Sequence, residues 1–261
     1  MRISVVLPCY NAEATLPETL DSINSQSLRS FELIAVDDGS KDSTRCILEN
    51  YRFREGISFR LVSRENRGFI RTLEEGIGLS SGDIIARIDA DDLWMPGHLS
   101  LLDSLFRADK DVVLAGTNAI YVSADNNLLC VSSMPLSDRD IRKGLLRDNT
   151  FIHSSVAFRK SVYKTTAGYS CGSDMAANHI ADYNLWIELA SKGKVVNLKD
   201  ATVKYRVLAD SMSRNIDRLS NYRARRRMQV KAYRLFGCAP VYFCISLLKT
   251  SLRILQYRIL T

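Results

Sequence analysis

Residues 3–38, ISVVLPCYNAEATLPETLDSINSQSLRSFELIAVDD, hold two apolar, β-branched runs on either side of one helical pattern. The runs, 3–8 and 31–38, are nearly continuous rather than alternating, as in strands covered on both faces. Between them Thr15 and Glu18 have the spacing of a capping box, and Leu16, Leu20 and Ile23 recur on one helical face. Strand, helix, strand of this kind is a βαβ unit, which places its strands in parallel with a right-handed crossover.

The pattern continues outward. Further apolar runs lie at 58–63, 83–89 and 112–122, with helices predicted over 43–51, 70–79 and 97–105. Alternation to about residue 120 predicts an α/β fold around a mostly parallel sheet. From 123 to 180 the pattern is irregular, with a helix near 138–147 and a strand near 154–159; the tail is helical from about Asp217.

Length and composition bound the answer. With 261 residues, 46% hydrophobic, the chain can bury one sizeable core. Six scattered cysteines with no C-x-x-C pair suggest neither a zinc cluster nor a disulfide framework, and fit a reducing, cytoplasmic setting. The apolar start MRISVVLPCYN is too short for a signal peptide, so no export is predicted. The net charge of +7 is uneven: residues 214–261 carry eleven Lys/Arg and one acid. A mildly acidic body and a strongly basic tail need separate explanations.

In parallel sheets ligands collect beyond the carboxyl ends of strands. Three polar clusters fall there: PCYN (8–11), DDGSKDST (37–44) and DADD (89–92). In IDAD, strand-like alternation points Asp89 and Asp91 the same way, a pair suited to a hard divalent cation such as Mn2+ or Mg2+. Taken alone, the same triplet serves as a helix cap or an exposed turn. The carboxylates of VDDGS can accept the N3–H of a uracil, or can simply shape a strand-to-helix turn, and period does not separate Asp37 from Asp38. Asp182 opens a helix whose Tyr183, Trp186, Ile187 and Ala190 form an apolar stripe. The helix dipole there favours the ionised form that a general base requires, although many helices start with an acid that does no chemistry. The three histidines lack metal-site spacing, and neither glycine-rich phosphate loop is present.

Taken in order, ISVVLPCYNAEATLPETLDSINSQS, FELIAVDDGSKDST, ENRGFIRTLEEGIGLSSGDIIARIDADD and HSSVAFRKSVY with ADYNLWIELASKGKVVNLKDATVKYR resemble family 2 glycosyltransferases of the GT-A fold. The resemblance covers residues 3 to about 213. It implies a Rossmann-like nucleotide-sugar-binding half (1–122), an acceptor-binding half (123–213), a divalent metal, and transfer with inversion from a nucleotide-sugar donor. By the same resemblance Pro8 and Tyr10 lie against the nucleotide and Asp38 meets the uracil. Asp89 faces ribose and pyrophosphate, Asp91 holds the metal, and Asp182 is the catalytic base. His153 and Trp186 fall near the acceptor, although a core histidine fits the pattern equally well.

Three positions depart from the family pattern. Ala181 replaces the first acid of the Glu-Asp pair, Leu208 stands where many members have histidine with Asp210 as a substitute nearby, and Glu74 stands where asparagine is frequent. The implied reaction is extension of a surface polysaccharide or lipooligosaccharide from a UDP-sugar, or from a GDP- or dTDP-sugar. The glycan or lipid-linked acceptor is unspecified. The alternative is a non-catalytic sugar-nucleotide- or glycan-binding component of a membrane-associated assembly, which Ala181 and Leu208 together allow.

Beyond the resemblance, residues 214–261 form a basic helical extension. RLSNYRARRRMQVKAYR (218–234) followed by CAPVYFCISLL (238–248) is too short in apolar residues to span a bilayer. It predicts an in-plane helix on the anionic inner face of a cell membrane. No recognition module accompanies the charge, so nucleic acid is not an expected partner.

Overall fold

The opening unit forms as its pattern predicts. β1 (Ile3–Cys9) and β2 (Phe31–Asp37) pair in parallel, Val5 beside Leu33 and Cys9 beside Asp37, and α1 (Leu16–Asn24) joins them. Every residue of both strands is buried. The chain is seen here as a computed structural model that describes residues 1–169, 180–208 and 218–260.

α2 (Thr44–Asn50) leads to β3 (Ile57–Ser63), parallel to β2, and α3 (Phe69–Leu79) leads to β4 (Ile84–Arg87), parallel to β1. Only β3 alternates between half-buried and exposed residues, as an edge strand does. The remaining elements are β5 (Leu93–Trp94), α4 (His98–Ala108), β6 (Val112–Val122), β7 (Leu128–Val131), α5 (Asp138–Leu145), β8 (Ala157–Arg159), α6 (Lys160–Tyr163), α7 (Ala181–Lys192) and β9 (Lys194–Arg206). The strands run in the order β3-β2-β1-β4-β8-β6-β9-β5, with β7 added to β6.

The α/β class holds, but the parallel run stops at β4. β8 lies between β4 and β6 and is antiparallel to both, while β9 returns parallel to β6. Counting strands and helices to residue 120 implies that β6 continues the parallel sheet. It cannot show that a three-residue strand from much later in the chain inserts itself. β9 is not among the predicted strands, because Lys199, Asp200 and Lys204 break its apolar residues into short pieces.

The predicted capping box does not form. Thr15 makes no cap hydrogen bond to the helix. Its hydroxyl donates to the Ala90 carbonyl at 2.9 Å, and Glu18 pairs with Arg206 at 2.7 Å. Thr15 is drawn to the turn that follows β4, and Glu18 to the end of β9.

The helices cover both faces of the sheet. α1 and α4 pack over one core cluster that includes Leu16, Leu20, Leu99 and Phe106. α3, α5 and α7 pack over the other, centred on Trp186, Leu189 and Phe158. The tail forms two helices, α8 (Arg218–Phe236) and α9 (Pro240–Leu260). α8 docks on the body: Arg225 pairs with Asp148 at 3.1 Å, Gln229 donates to the Arg147 carbonyl at 3.0 Å, and Lys231 reaches Asn184 at 2.6 Å and also Glu188. Several of the cations that suggested a membrane-facing helix over 218–234 are therefore engaged by the chain itself.

Candidate active site

β4 ends at Arg87, and the acids beyond it lie on a turn, not on a strand. Alternation therefore does not govern them, and Asp92 joins Asp89 and Asp91. The three offer carboxylate oxygens that all lie within 4.8 Å of one another. α1 holds this turn by its carbonyls: Thr15 and Thr19 donate to Ala90, and Thr19 also donates to Asp92 at 3.0 Å.

Each acid has a different environment. The Asp89 carboxylate receives the Arg87 guanidinium, with one bond at 2.9 Å, and the Ser154 hydroxyl at 3.1 Å. Burial works to raise its pKa, but the Arg87 charge and hydrogen bonds outweigh it and hold the group below the ordinary carboxylate range. Among the described residues Asp91 has no such partner, and burial, then the Asp89 charge, pushes it up to about 6. Asp92 is pushed well up by burial and then by the charges of Asp91 and Asp89; one oxygen accepts the Arg206 N–H at 2.8 Å, and the other has no partner among the described residues. Crowded acids with one carboxylate oxygen unsatisfied form a donor set suited to a hard cation.

The structure separates Asp37 from Asp38. Asp37 shapes the turn, accepting the Ser40 N–H at 3.0 Å and the Ser63 hydroxyl at 2.7 Å. Asp38 receives the Arg64 guanidinium and the Arg67 N–H on one oxygen and the Gly68 N–H, at 3.0 Å, on the other. That second oxygen keeps a lone pair for a ligand. Gly39, at φ +75°, makes the crossing possible, since a Cβ there would lie 2.7 Å from the Asn66 nitrogen.

β1 brings these clusters together. The Asp38 N–H donates to the Cys9 carbonyl at 2.8 Å. The Cys9 thiol is pushed far up by burial and then by the charges of Asp37 and Asp89, which lie on either side of it. Pro8 is buried at the end of this strand, whereas Tyr10 is 50% exposed and offers its ring to a ligand.

Asp182 occupies the first turn of α7, as its sequence position implies. Asn149 donates to one of its oxygens at 2.7 Å, and the Tyr183 N–H to the other at 2.6 Å. Burial raises its pKa to about 6, opposed by the Tyr183 N–H, Arg87 and Asn149, and assisted by Asp89. Asp182 thus feels the same Arg87–Asp89 pair that borders the acid turn.

The two residues expected near the acceptor are placed differently. Trp186 has 0% exposure and packs among Phe151, Phe158, Tyr169 and His153. Its place in the core corrects the expected acceptor contact, because the stripe on α7 faces other helices and strands. His153 is half-buried beside it, hydrogen-bonded to the Tyr169 hydroxyl at 2.9 Å. Burial, and then Arg87, pushes its pKa well down, against the opposing Asp89 charge.

Arg87, Asn149 and Arg206 escaped the sequence reading. An arginine within the apolar strand DIIARID was the available signal for Arg87, which is 1% exposed. Arg206 is also buried and joins Glu18, Asn126 and the Asp92 carboxylate. Nothing local marks Asn149. Ala181 is buried at the start of α7, and Asp210 lies outside the described residues.

Glu74 now has a structural role: it accepts from the Tyr163 hydroxyl and the Tyr169 N–H, tying α3 to the segment that carries the His153 partner. Glu74→Ala leaves both donors unpaired and is expected to cost about 1–3 kcal/mol. Thermal unfolding should show a fall of several degrees, and an unchanged midpoint would remove this role.

The family model described as "Glycosyl transferase family 2" matches residues 4–166. The amylovoran biosynthesis glycosyltransferase AmsE of Erwinia amylovora is 30% identical over 237 residues, covering 89% of this chain and 84% of the relative. Among solved structures, S. aureus TarS residues 1–349 in complex with UDP superposes with TM-score 0.71 at 18% identity, covering 96% of this chain and 70% of that 1–349 chain. The mannosyltransferase PcManGT of Pyrobaculum calidifontis, in complex with GDP-Man and Mn2+, gives 0.63 at 22% identity, covering 96% and 68%.

Proposed function

The chain belongs to glycosyl transferase family 2, and on that footing we propose an inverting, divalent-metal-dependent transferase. It moves a hexosyl or N-acetylhexosaminyl group from a UDP-sugar to a glycan or lipid-linked glycan during surface-polysaccharide synthesis. The observation that carries the proposal is the sharing of Arg87 and Asp89 between the acid turn and Asp182. One end of that arrangement suits a charged donor and the other a proton acceptor. Support for the donor comes from the neighbours, which bind UDP, UDP-GlcNAc or GDP-Man. Support for the pathway comes from the amylovoran relative.

In this reading Asp91 and Asp92 hold Mn2+ or Mg2+, with Asp89 toward the ribose and pyrophosphate. The bound cation supplies charge neutralisation to the departing diphosphate. Asp38 accepts the uracil N3–H on its less occupied oxygen, and Tyr10 and Pro8 border the base. Asn149 and the Tyr183 N–H fix the Asp182 carboxylate. Asp182 takes the proton of an acceptor hydroxyl as that oxygen attacks C1 from the face opposite the nucleotide. The C1–O bond breaks, its electron pair leaves with the nucleoside diphosphate, and the configuration inverts. The reading places the chain on the cytoplasmic face of a cell membrane, its basic tail toward anionic lipid.

The test is release of the nucleoside diphosphate, UDP, GDP or dTDP, from a panel of the corresponding sugar nucleotides with Mn2+. Turnover of a UDP-sugar is expected, and no turnover of any donor beside normal nucleotide binding would favour a non-catalytic binding component.

The pKa of Asp182 sets a pH profile. Only the ionised form accepts a proton, so kcat/KM should rise as pH passes through about 6 and level off above it. Saturating Mn2+ holds Asp91 ionised and leaves this limb to Asp182. Asn149→Ala removes a bond that favours the carboxylate and should move the limb to higher pH. A profile flat from pH 5 to 8 would count against Asp182 as the base.

A further inference from the structure

α9 packs Phe243 on Tyr233 of α8 with ring centroids 4.1 Å apart, yet it leaves a second apolar face exposed. Toward α8 it buries Ser246 and Thr250, each 5% exposed, and Thr250 meets the Gln229 amide at 3.0 Å. Outward it presents Val241, Ile245, Leu248, Leu252 and Leu255, which are 73, 48, 60, 47 and 54% exposed. Their spacing of four and three residues draws one continuous stripe along a single face. A contiguous apolar face of this kind marks a contact surface.

The charge around the stripe indicates what covers it. Residues 218–261 contain no Asp or Glu. Exposed Lys249 and Arg253 flank the stripe on α9, and Arg223, Arg226 and Arg234 are exposed on α8. A second copy docking stripe to stripe would bring cations against cations, with no acid on either tail to pair with them. An anionic lipid surface matches both the apolar face and its basic border. Among the described residues no helix is long and apolar enough to cross a membrane. The docking of α8 on α7 through Lys231 then fixes α9 relative to the helix that carries Asp182.

We propose that α9 lies in the plane of an anionic bilayer with Val241, Ile245, Leu248, Leu252 and Leu255 inserted among the acyl chains. The inference rests on the reading that the chain works at a membrane, and it assigns the inserted surface to α9 and not to the basic α8.

The experiment is co-sedimentation of the full chain with vesicles of phosphatidylcholine, with and without about one-third phosphatidylglycerol, comparing the parent with Leu248→Glu/Leu252→Glu. Both positions are exposed, so thermal unfolding and Mn2+-dependent UDP binding should match the parent and report an intact fold. The parent should bind the anionic vesicles more strongly than the neutral ones and weaken with salt. The double variant should partition at least about tenfold less. If the variant sediments like the parent, α9 is not the inserted element, although membrane attachment stands. If the parent binds neither vesicle, membrane attachment itself fails. A parent dimer in sedimentation equilibrium that the double variant turns into a monomer would assign the stripe to self-association.

Discussion

Asp182→Asn is expected to lower sugar transfer about 10²–10⁴-fold, the usual contribution of a general base, while leaving Mn2+-dependent UDP affinity close to that of the parent. The substitution keeps the shape of the side chain and an oxygen for the Asn149 amide; it removes the capacity to take a proton and, with it, the second oxygen that accepts the Tyr183 N–H. The split between rate and affinity is the informative part. Asp182 feels Asp89 through space but shares no hydrogen-bond partner with Asp91 or Asp92, so donor binding should not need it. Steady-state transfer and calorimetric UDP titration on the same preparation measure both. A variant that transfers at the parent rate would show that some other group takes the proton.

Asp91→Ala is expected to weaken metal-dependent UDP binding by more than about 10–100-fold, the loss typical of residues that merely support metal ligands. Turnover should fall with it. The same variant carries a second signature, because burial and the Asp89 charge raise Asp91 and make its carboxylate costly in the metal-free protein. A carboxyl whose folded pKa lies above its unfolded value destabilises the fold once pH exceeds the unfolded value. At pH 7 without metal, Asp91→Ala should therefore melt no lower than the parent. Adding Mn2+ should raise the parent's midpoint by mass action and leave the variant's unchanged. A lower metal-free midpoint with an intact Mn2+ response would mean that Asp91 is structural and that the cation is held elsewhere.

The parts legible in the sequence were those governed by local pattern. Buried parallel strands are continuous apolar runs, so β1, β2 and β4 could be read directly, and the polar clusters at their ends had to converge. Asp182 was legible as a helix-start acid. Pairings across long stretches of chain were not. The Arg206 N–H reaches Asp92 from the end of β9, and Asn149 reaches Asp182 from the loop that follows α5. Thr15 and Glu18 satisfy a local rule on paper, but Thr15 bonds the buried Ala90 of the acid turn and Glu18 the buried Arg206 instead. The stripe on α9 was hidden because the apolar run was read as ending near residue 248, whereas the face continues through Leu252 and Leu255.

The most direct measurement is a crystal structure with UDP and Mn2+, read as the distance from the ion to the nearer Asp182 oxygen. An acceptor hydroxyl within hydrogen-bond reach of the base, attacking a C1 still joined to a metal-bound diphosphate, spans at most about 13 Å when fully extended. The expected result is an ion on Asp91 with Asp182 inside that reach, the two separated by an open space that a single sugar can fill. An ion bound away from Asp91, or an Asp182 carboxylate beyond that distance or walled off by Arg87, would contradict a shared site.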